Sequence, residues 1–208
     1  AQGRHGMPIA MDRDLDHMLR RYIEQPWLIR YEGDLAVACS GTFADHLEEL
    51  GPDSDAQLEA GWQDFLTHEH YIWNSARPRS NHGTIEMRAA CQQPHNETMA
   101  AATFAVATAC AADELHKMLV RRFGDELWTT MREWHHSAIR TGMGEPEHGL
   151  IDEILDIQTR ALVKRGRREE MLLVPLYGRL ESGQNPAQVA QEVFAEGGLP
   201  ALLQFTAG

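Results

Sequence analysis

The chain has 208 residues, of which 43% are hydrophobic and 24% charged, the make-up of a globular protein large enough to bury a core. Its 31 acidic residues outnumber 19 basic ones, and a net charge of −12 argues against nucleic acid or an anionic membrane surface as a partner. Cys39, Cys91 and Cys110 form no CxxC pair and suit free thiols in a reducing cytoplasm, and no apolar run approaches the ~18 residues of a membrane span.

The opening stretch AQGRHGMPIAMDRD has neither an initiator Met nor a signal-peptide core and reads as the middle of something. A helix is expected from Asp12 or Asp14 through Ile23, stopped by Pro26. Trp27 to Arg30 and Asp34 to Ala38 are short strand candidates around a turn at Glu32-Gly33. Thr42 can cap a short helix to Leu50, and Gly51 to Ser54 reads as a surface loop. A helix over Asp55 to His68 would turn Leu58, Trp62, Phe65 and Leu66 inward. Two strands follow, His70 to Arg77 and Thr84 to Ala90.

Beyond residue 95 the texture is helical. Asn96 can cap one run from Glu97 to Phe123, whose small, apolar middle implies burial on several sides. Further helices are expected from Asp125 toward Arg140 and over Gly149 to Lys164, with a turn at Gly142 to Gly144. Residues 168 to 181 look helical, with Pro175 kinking or delaying the helix. Asn185, Pro186 and Gln188 place a cap, a first-turn proline and a capping-box partner ahead of a last helix ending near Gly197-Gly198. The expected fold is α+β as a single unit over 1–208: a thin antiparallel sheet with short helices over 1–94, then helices over 95–208. One edge of so thin a sheet would stay unpaired unless something covers it.

The segment SNHGTIEMRAA (residues 80–90) carries the chemistry. In a strand Ile85, Met87 and Ala89 share one face, and Thr84, Glu86 and Arg88 share the other. One reading is the solvated face of an edge strand. The other is a cleft wall, with Glu86 ligating a divalent cation such as Mg2+ and Arg88 binding phosphate or carboxylate oxygens. Arg77 on the adjacent strand and Arg79 just after it enlarge the cluster, an arrangement suited to phosphoanhydride chemistry, where positive charge neutralises developing negative charge. His82, in the neighbouring loop, is either a turn residue or a nucleotide or substrate contact.

Residues 73–94, WNSARPRSNHGTIEMRAACQQP, resemble the "RP…GT(I/V)E(V/M)R…P" segment of the glutamate–cysteine ligase type 2 family of carboxylate–amine ligases. PWLIRYEGDLAVACSGTFADHLEE, GWQDFLTHEHYIWNSAR and ALVKRGRREEMLLVPLYGRLESGQNPAQ are similar, in the same order, to three further stretches of the plant and proteobacterial members. The resemblance implies part of a glutamine-synthetase-like catalytic sheet and a reaction in which ATP phosphorylates a glutamate-like carboxylate that a cysteine-like amine then attacks. It implies Mg2+ bridging acidic side chains and ATP phosphates, with Glu86 as one ligand. Arg88 would contact phosphate or the acyl phosphate, and Arg77 substrate or phosphate. Arg79 and His82 are the candidate nucleotide contacts. The match covers the C-terminal part of the family's catalytic module. The N-terminal part, with most of the metal-binding glutamates, has no counterpart here, so a complementing N-terminal segment or subunit is expected. The competing expectation is a binding or scaffolding subunit that keeps the fold without the catalysis.

Other candidates read as structural. His68 and His70 sit at a helix–strand junction with no third ligand at a telling spacing, which leaves a metal hydrolase built on them as a distant alternative. His135 and His136 point to different sides of a helix. Cys91 lacks an identifiable activating base and reads as a buried thiol. Trp73 reads as core packing rather than a base-stacking platform, and Met118 and Trp128 as core.

Overall fold

The structure, a computed structural model, describes residues 3–51, 53–91, 93–142 and 144–207. Pro52, Gln92 and Met143, which fall within the expected loop, the family-like segment and the expected turn, lie outside the described residues. The chain divides into two compact units, one through Ala89 and one from Ala90 onward. It is mostly helical with small sheets, α+β in general terms.

The first unit runs β1 (His5–Gly6), α1 (Leu15–Ile23), β2 (Ile29–Glu32), β3 (Leu35–Ala38), α2 (Phe43–Leu50), α3 (Asp55–His70), β4 (Trp73–Asn74), β5 (Ala76–Arg79) and β6 (Thr84–Met87). Of the two candidate caps, Asp14 starts α1, its side chain accepting from the His17 N–H. β2 and β3 form the expected antiparallel hairpin. The strand expected from His70 begins only at Trp73, because α3 continues to His70. In place of one antiparallel sheet there are three strand pairs: β2–β3 and β5–β6 antiparallel, β1–β4 parallel.

Thr42 caps α2 in a full capping box. Its hydroxyl accepts from the Asp45 N–H at 3.1 Å, while the Asp45 carboxylate accepts from the Thr42 N–H at 2.7 Å. Thr42→Ala is expected to destabilise the first unit by about 1 kcal/mol, read as a lower urea midpoint at unchanged slope. An unmoved midpoint would show that the box contributes nothing.

Tyr22, Trp27, Phe43, Phe65 and Ile72 form the first unit's core. Phe43 lies edge-on to Trp27 and Phe65, with centroids 5.8 and 5.9 Å away. Such pairs add about 1 kcal/mol beyond area burial. The expected inward stripe of α3 holds only in part: Phe65 is buried, but Leu58 and Trp62 are exposed.

The second unit runs α4 (Thr98–Cys110), α5 (Ala112–Phe123), α6 (Leu127–Thr141), α7 (Leu150–Arg165), α8 (Val174–Ser182) and α9 (Pro186–Ala207). The single helix expected from Glu97 to Phe123 breaks at Ala111, whose backbone leaves helical geometry (φ −105°, ψ 8°). Ala107 joins a core with Leu162 and Leu173, and Leu115 and Met118 join another with Leu150 and Ile157, so the bend lets both α4 and α5 lie against α7. α4 buries only the line Ala100, Thr103 and Ala107, leaving Met99 and Val106 exposed. Asn96 makes no cap, since it sits inside a 3-10 turn (His95–Glu97).

Pro175 delays its helix as expected. A 3-10 stretch (Glu169–Leu173) precedes α8, and the proline occupies the first turn, where its missing N–H leaves no bond unmade. The capping box of α9 is present. The Asn185 side-chain oxygen accepts from the Gln188 N–H at 3.0 Å, and the Gln188 side-chain Oε1 accepts from the Asn185 N–H at 2.9 Å. At Gly198 the backbone turns to φ 66° and ψ −162°, open to glycine alone, so the regular helix ends where expected. A second helical stretch to Ala207, not foreseen, follows the break. Cys91, expected to be buried, is exposed. Among the described residues no helix is long and apolar enough to cross a membrane.

Candidate functional site

β5 and β6 pair with Arg77 opposite Glu86 and Arg79 opposite Thr84. Arg88 continues the ladder beyond the strand, its N–H donating to the Ser75 carbonyl at 2.7 Å. The two-residue alternation therefore puts Arg77, Arg79, Thr84, Glu86 and Arg88 on one face and Ala76, Pro78, Ile85 and Met87 on the other. The strands are joined by a 3-10 turn (Ser80–His82) and Gly83, whose left-handed φ of +59° favours glycine.

Three guanidiniums converge on Glu86. Arg77 Nε donates to Oε2 at 2.6 Å, Arg79 Nη1 to the same oxygen at 3.5 Å, and Arg88 Nη1 to Oε1 at 3.1 Å. The hydrogen bond from Arg77, reinforced by the charges of Arg77 and Arg88, holds the Glu86 carboxyl below the usual carboxylate range, so it is ionised at neutral pH. Three positive charges against one leave the cluster net positive in an acidic protein.

The arginines are not equivalent. Arg77 is 1% exposed, and its Nη1 donates to the carbonyls of Glu69, His70 and Ile72 at 3.1, 2.7 and 2.7 Å. Those carbonyls lie at the end of α3 and just beyond it, where regular helical pairing stops. Arg77 thus ties the end of α3 to β6 and fixes Glu86, and the structure buries it where the sequence suggested a contact with substrate or phosphate. The Arg88 side chain is 37% exposed and that of Glu86 32%, so both reach solvent from a half-buried face. Arg79, bonded to Glu86 only at the limit of hydrogen-bond distance, is the least committed of the three.

Sequence reasoning passed over Glu69. Its carboxylate is buried and accepts from both the N–H and the hydroxyl of Ser80, at 2.9 and 2.5 Å, pinning the turn that carries Arg79 and His82. No local pattern signals that link, because the partners lie 11 residues apart on different elements. His82 is exposed at the end of the turn. Beside Arg79 lies a polar cavity of about 300 Å3 that also meets Tyr31, Glu69, His70, Tyr71 and Asn81.

A divalent cation is not accommodated by the described residues alone. Glu86 is the one carboxylate on the face, its oxygens already engaged by guanidiniums, and no group of three or more His, Cys, Asp or Glu side chains is placed to hold a metal. His68 and His70 do not converge. His68 is buried, with Nε2 at 2.8 Å from the Tyr22 carbonyl and its ring stacked on Phe43, while His70 is exposed. Trp73 packs against His5 and Tyr71, and Met118 is core as expected.

The chain matches no protein-family model, and no curated protein matches it.

Proposed function

We propose that this chain is the C-terminal portion of an ATP-dependent carboxylate–amine ligase resembling glutamate–cysteine ligase, completed by a further N-terminal segment or subunit. The carrying observation is the convergence of Arg77, Arg79 and Arg88 on Glu86 along one strand face. In the reaction, a carboxylate oxygen attacks the terminal phosphorus of ATP and ADP leaves. The amine then attacks the acyl carbon, loses a proton and expels inorganic phosphate, forming the amide. Negative charge builds on phosphoryl oxygens in the first step and on the tetrahedral oxygen in the second. Preorganised guanidiniums lower the barrier by meeting charge where it develops. Arg88 is assigned to the phosphate or acyl-phosphate oxygens, Arg79 and His82 to the nucleotide, and Arg77 to holding Glu86 and the strand in place. The carboxylates for a Mg2+ site are assigned to the complementing segment, with Glu86 contributing at its border.

The free edge of β6 supports incompleteness. Since Arg88 forms a hydrogen-bonded pair with Ser75, alternation makes Arg77–Glu86 the next such pair and turns the backbone N–H and C=O of Ile85 and Met87 outward. Those side chains are 73% and 43% exposed, and among the described residues β6 pairs only with β5. An apolar, unpaired edge is what an added strand would cover.

A non-catalytic scaffolding subunit is the second reading, favoured by the absence of an acidic cluster among the described residues. ADP release from ATP, Mg2+, a glutamate-like acid and a cysteine-like amine, with the complementing segment present, separates the two. Arg88→Gln should lower that rate by roughly 100-fold or more. Glu86→Gln should weaken nucleotide or Mg2+ binding. If both variants behave like the parent, the site assignment fails, and if the completed protein releases no ADP, the scaffold reading stands.

A further inference from the structure

The cavity beside Arg79 shares that residue with the Glu86 contacts but otherwise has a composition of its own. Arg79, Tyr31, His70, Tyr71 and Asn81 are among its lining residues, and their side chains carry guanidinium, hydroxyl, imidazole and amide groups. Glu69 also borders it, but each of its oxygens already accepts from Ser80. The end of a helix normally presents unpaired carbonyls, which repel an anion. Here those carbonyls are occupied: Arg77 takes the carbonyls of Glu69, His70 and Ile72, and Arg4 takes that of Tyr71 at 2.7 Å. Of the residues that line the cavity, Arg79 is the one arginine and Glu69 the one carboxylate, and the contact of Arg79 with Glu86 outside it is long, at 3.5 Å.

We infer that this cavity is a small-anion subsite, taking a phosphate or carboxylate group on Arg79, with Asn81, His70 and the Tyr31–Tyr71 pair as its neutral donors. Local desolvation and the charges of Arg79 and Arg77 hold the exposed His70 imidazole below its usual pKa, so it is neutral at pH 7 and can donate one N–H. The neighbouring Tyr31 holds the Tyr71 phenol above its ordinary pKa, so it stays protonated. The subsite deepens the ligase reading, since Arg79 belongs to both, and adds Tyr31, His70, Tyr71 and Asn81 to it.

The test uses the full chain, titrated separately with inorganic phosphate and with glutarate, against sodium chloride at matched ionic strength. The Arg79 Nε–H and Asn81 amide resonances are followed. Saturable shifts at both positions, absent with chloride, are expected. Asn81→Asp places a like charge at the cavity wall on an exposed turn, and Arg79→Gln removes the cation; each should weaken binding roughly tenfold or more. Phosphate alone binding marks a phosphoryl subsite and glutarate alone a carboxylate subsite, and either supports the inference. No saturable shift with either anion, the same shift with chloride, or Asn81→Asp binding like the parent would overturn it. Because binding is read without turnover, a completed protein that makes no ADP leaves the subsite standing. An active ligase whose chain binds neither anion here loses only the subsite.

Discussion

Replacing Arg77 with Leu is expected to destabilise the first unit by roughly 2–4 kcal/mol, chiefly because backbone carbonyls lose their buried donor. The substitution removes four hydrogen bonds: one to Glu86 and three to the carbonyls of Glu69, His70 and Ile72. Leucine can fill part of the volume, but it takes the Arg77 donor from the His70 and Ile72 carbonyls, while Glu69 keeps the Ile72 N–H, and each buried loss costs about 1–3 kcal/mol. Arg77→Lys keeps the charge but cannot present one donor to Glu86 and another to the helix end in a fixed fork, so an intermediate loss is expected. Urea unfolding of the full chain, followed by tryptophan fluorescence, reads both variants. A loss below about 1 kcal/mol for Arg77→Leu would mean that Arg77 is not what joins α3 to the hairpin.

Acid should weaken the first unit through His68 before its carboxylates begin to titrate. Burial lowers the His68 pKa to about 4 from an ordinary 6.5, against a smaller opposing effect of its hydrogen bond to the Tyr22 carbonyl. Nε2 donates in that bond, and the buried Nδ1 has no partner to receive a proton. The folded-state pKa lies below the unfolded one, so the unfolded chain takes up the proton first. The contribution is complete above pH 6.5, falls as pH drops from 6.5 to 4, and changes no further below that. The loss over that window is about 3 kcal/mol, about 2 of it by pH 5. His68→Gln retains a side-chain donor for the Tyr22 carbonyl and does not titrate. Its unfolding free energy should therefore be flatter than the parent's between pH 5 and 7. Equal slopes would rule out a neutral, buried His68 as the source.

Much of the local structure could be read from the chain itself. Asp14, Thr42 and Asn185 announced helix starts because a cap is settled within three or four residues. Pro175 and Gly198 marked a delayed start and a break because each restricts its own backbone. The bend at Ala111 could not be read, since alanine imposes no bend and the cause is the shared packing of α4 and α5 on α7. Leu58 and Trp62 fit an inward stripe by spacing, yet the core closes around Phe65 without them.

The site divides along the same line. Strand alternation alone placed Glu86 and Arg88 together and set them opposite Ile85 and Met87, because side-chain direction in a strand is a property of the backbone. Which face would be covered was a tertiary decision, and it went against hydrophobicity: the charged face is the half-buried one and the apolar face lies open. The reason is Arg77, whose hydrogen bonds to carbonyls at and just beyond the end of α3 draw that face of the hairpin against the helix end. Those partners are five to eight residues away along the chain and on a different element, where no sequence period reaches.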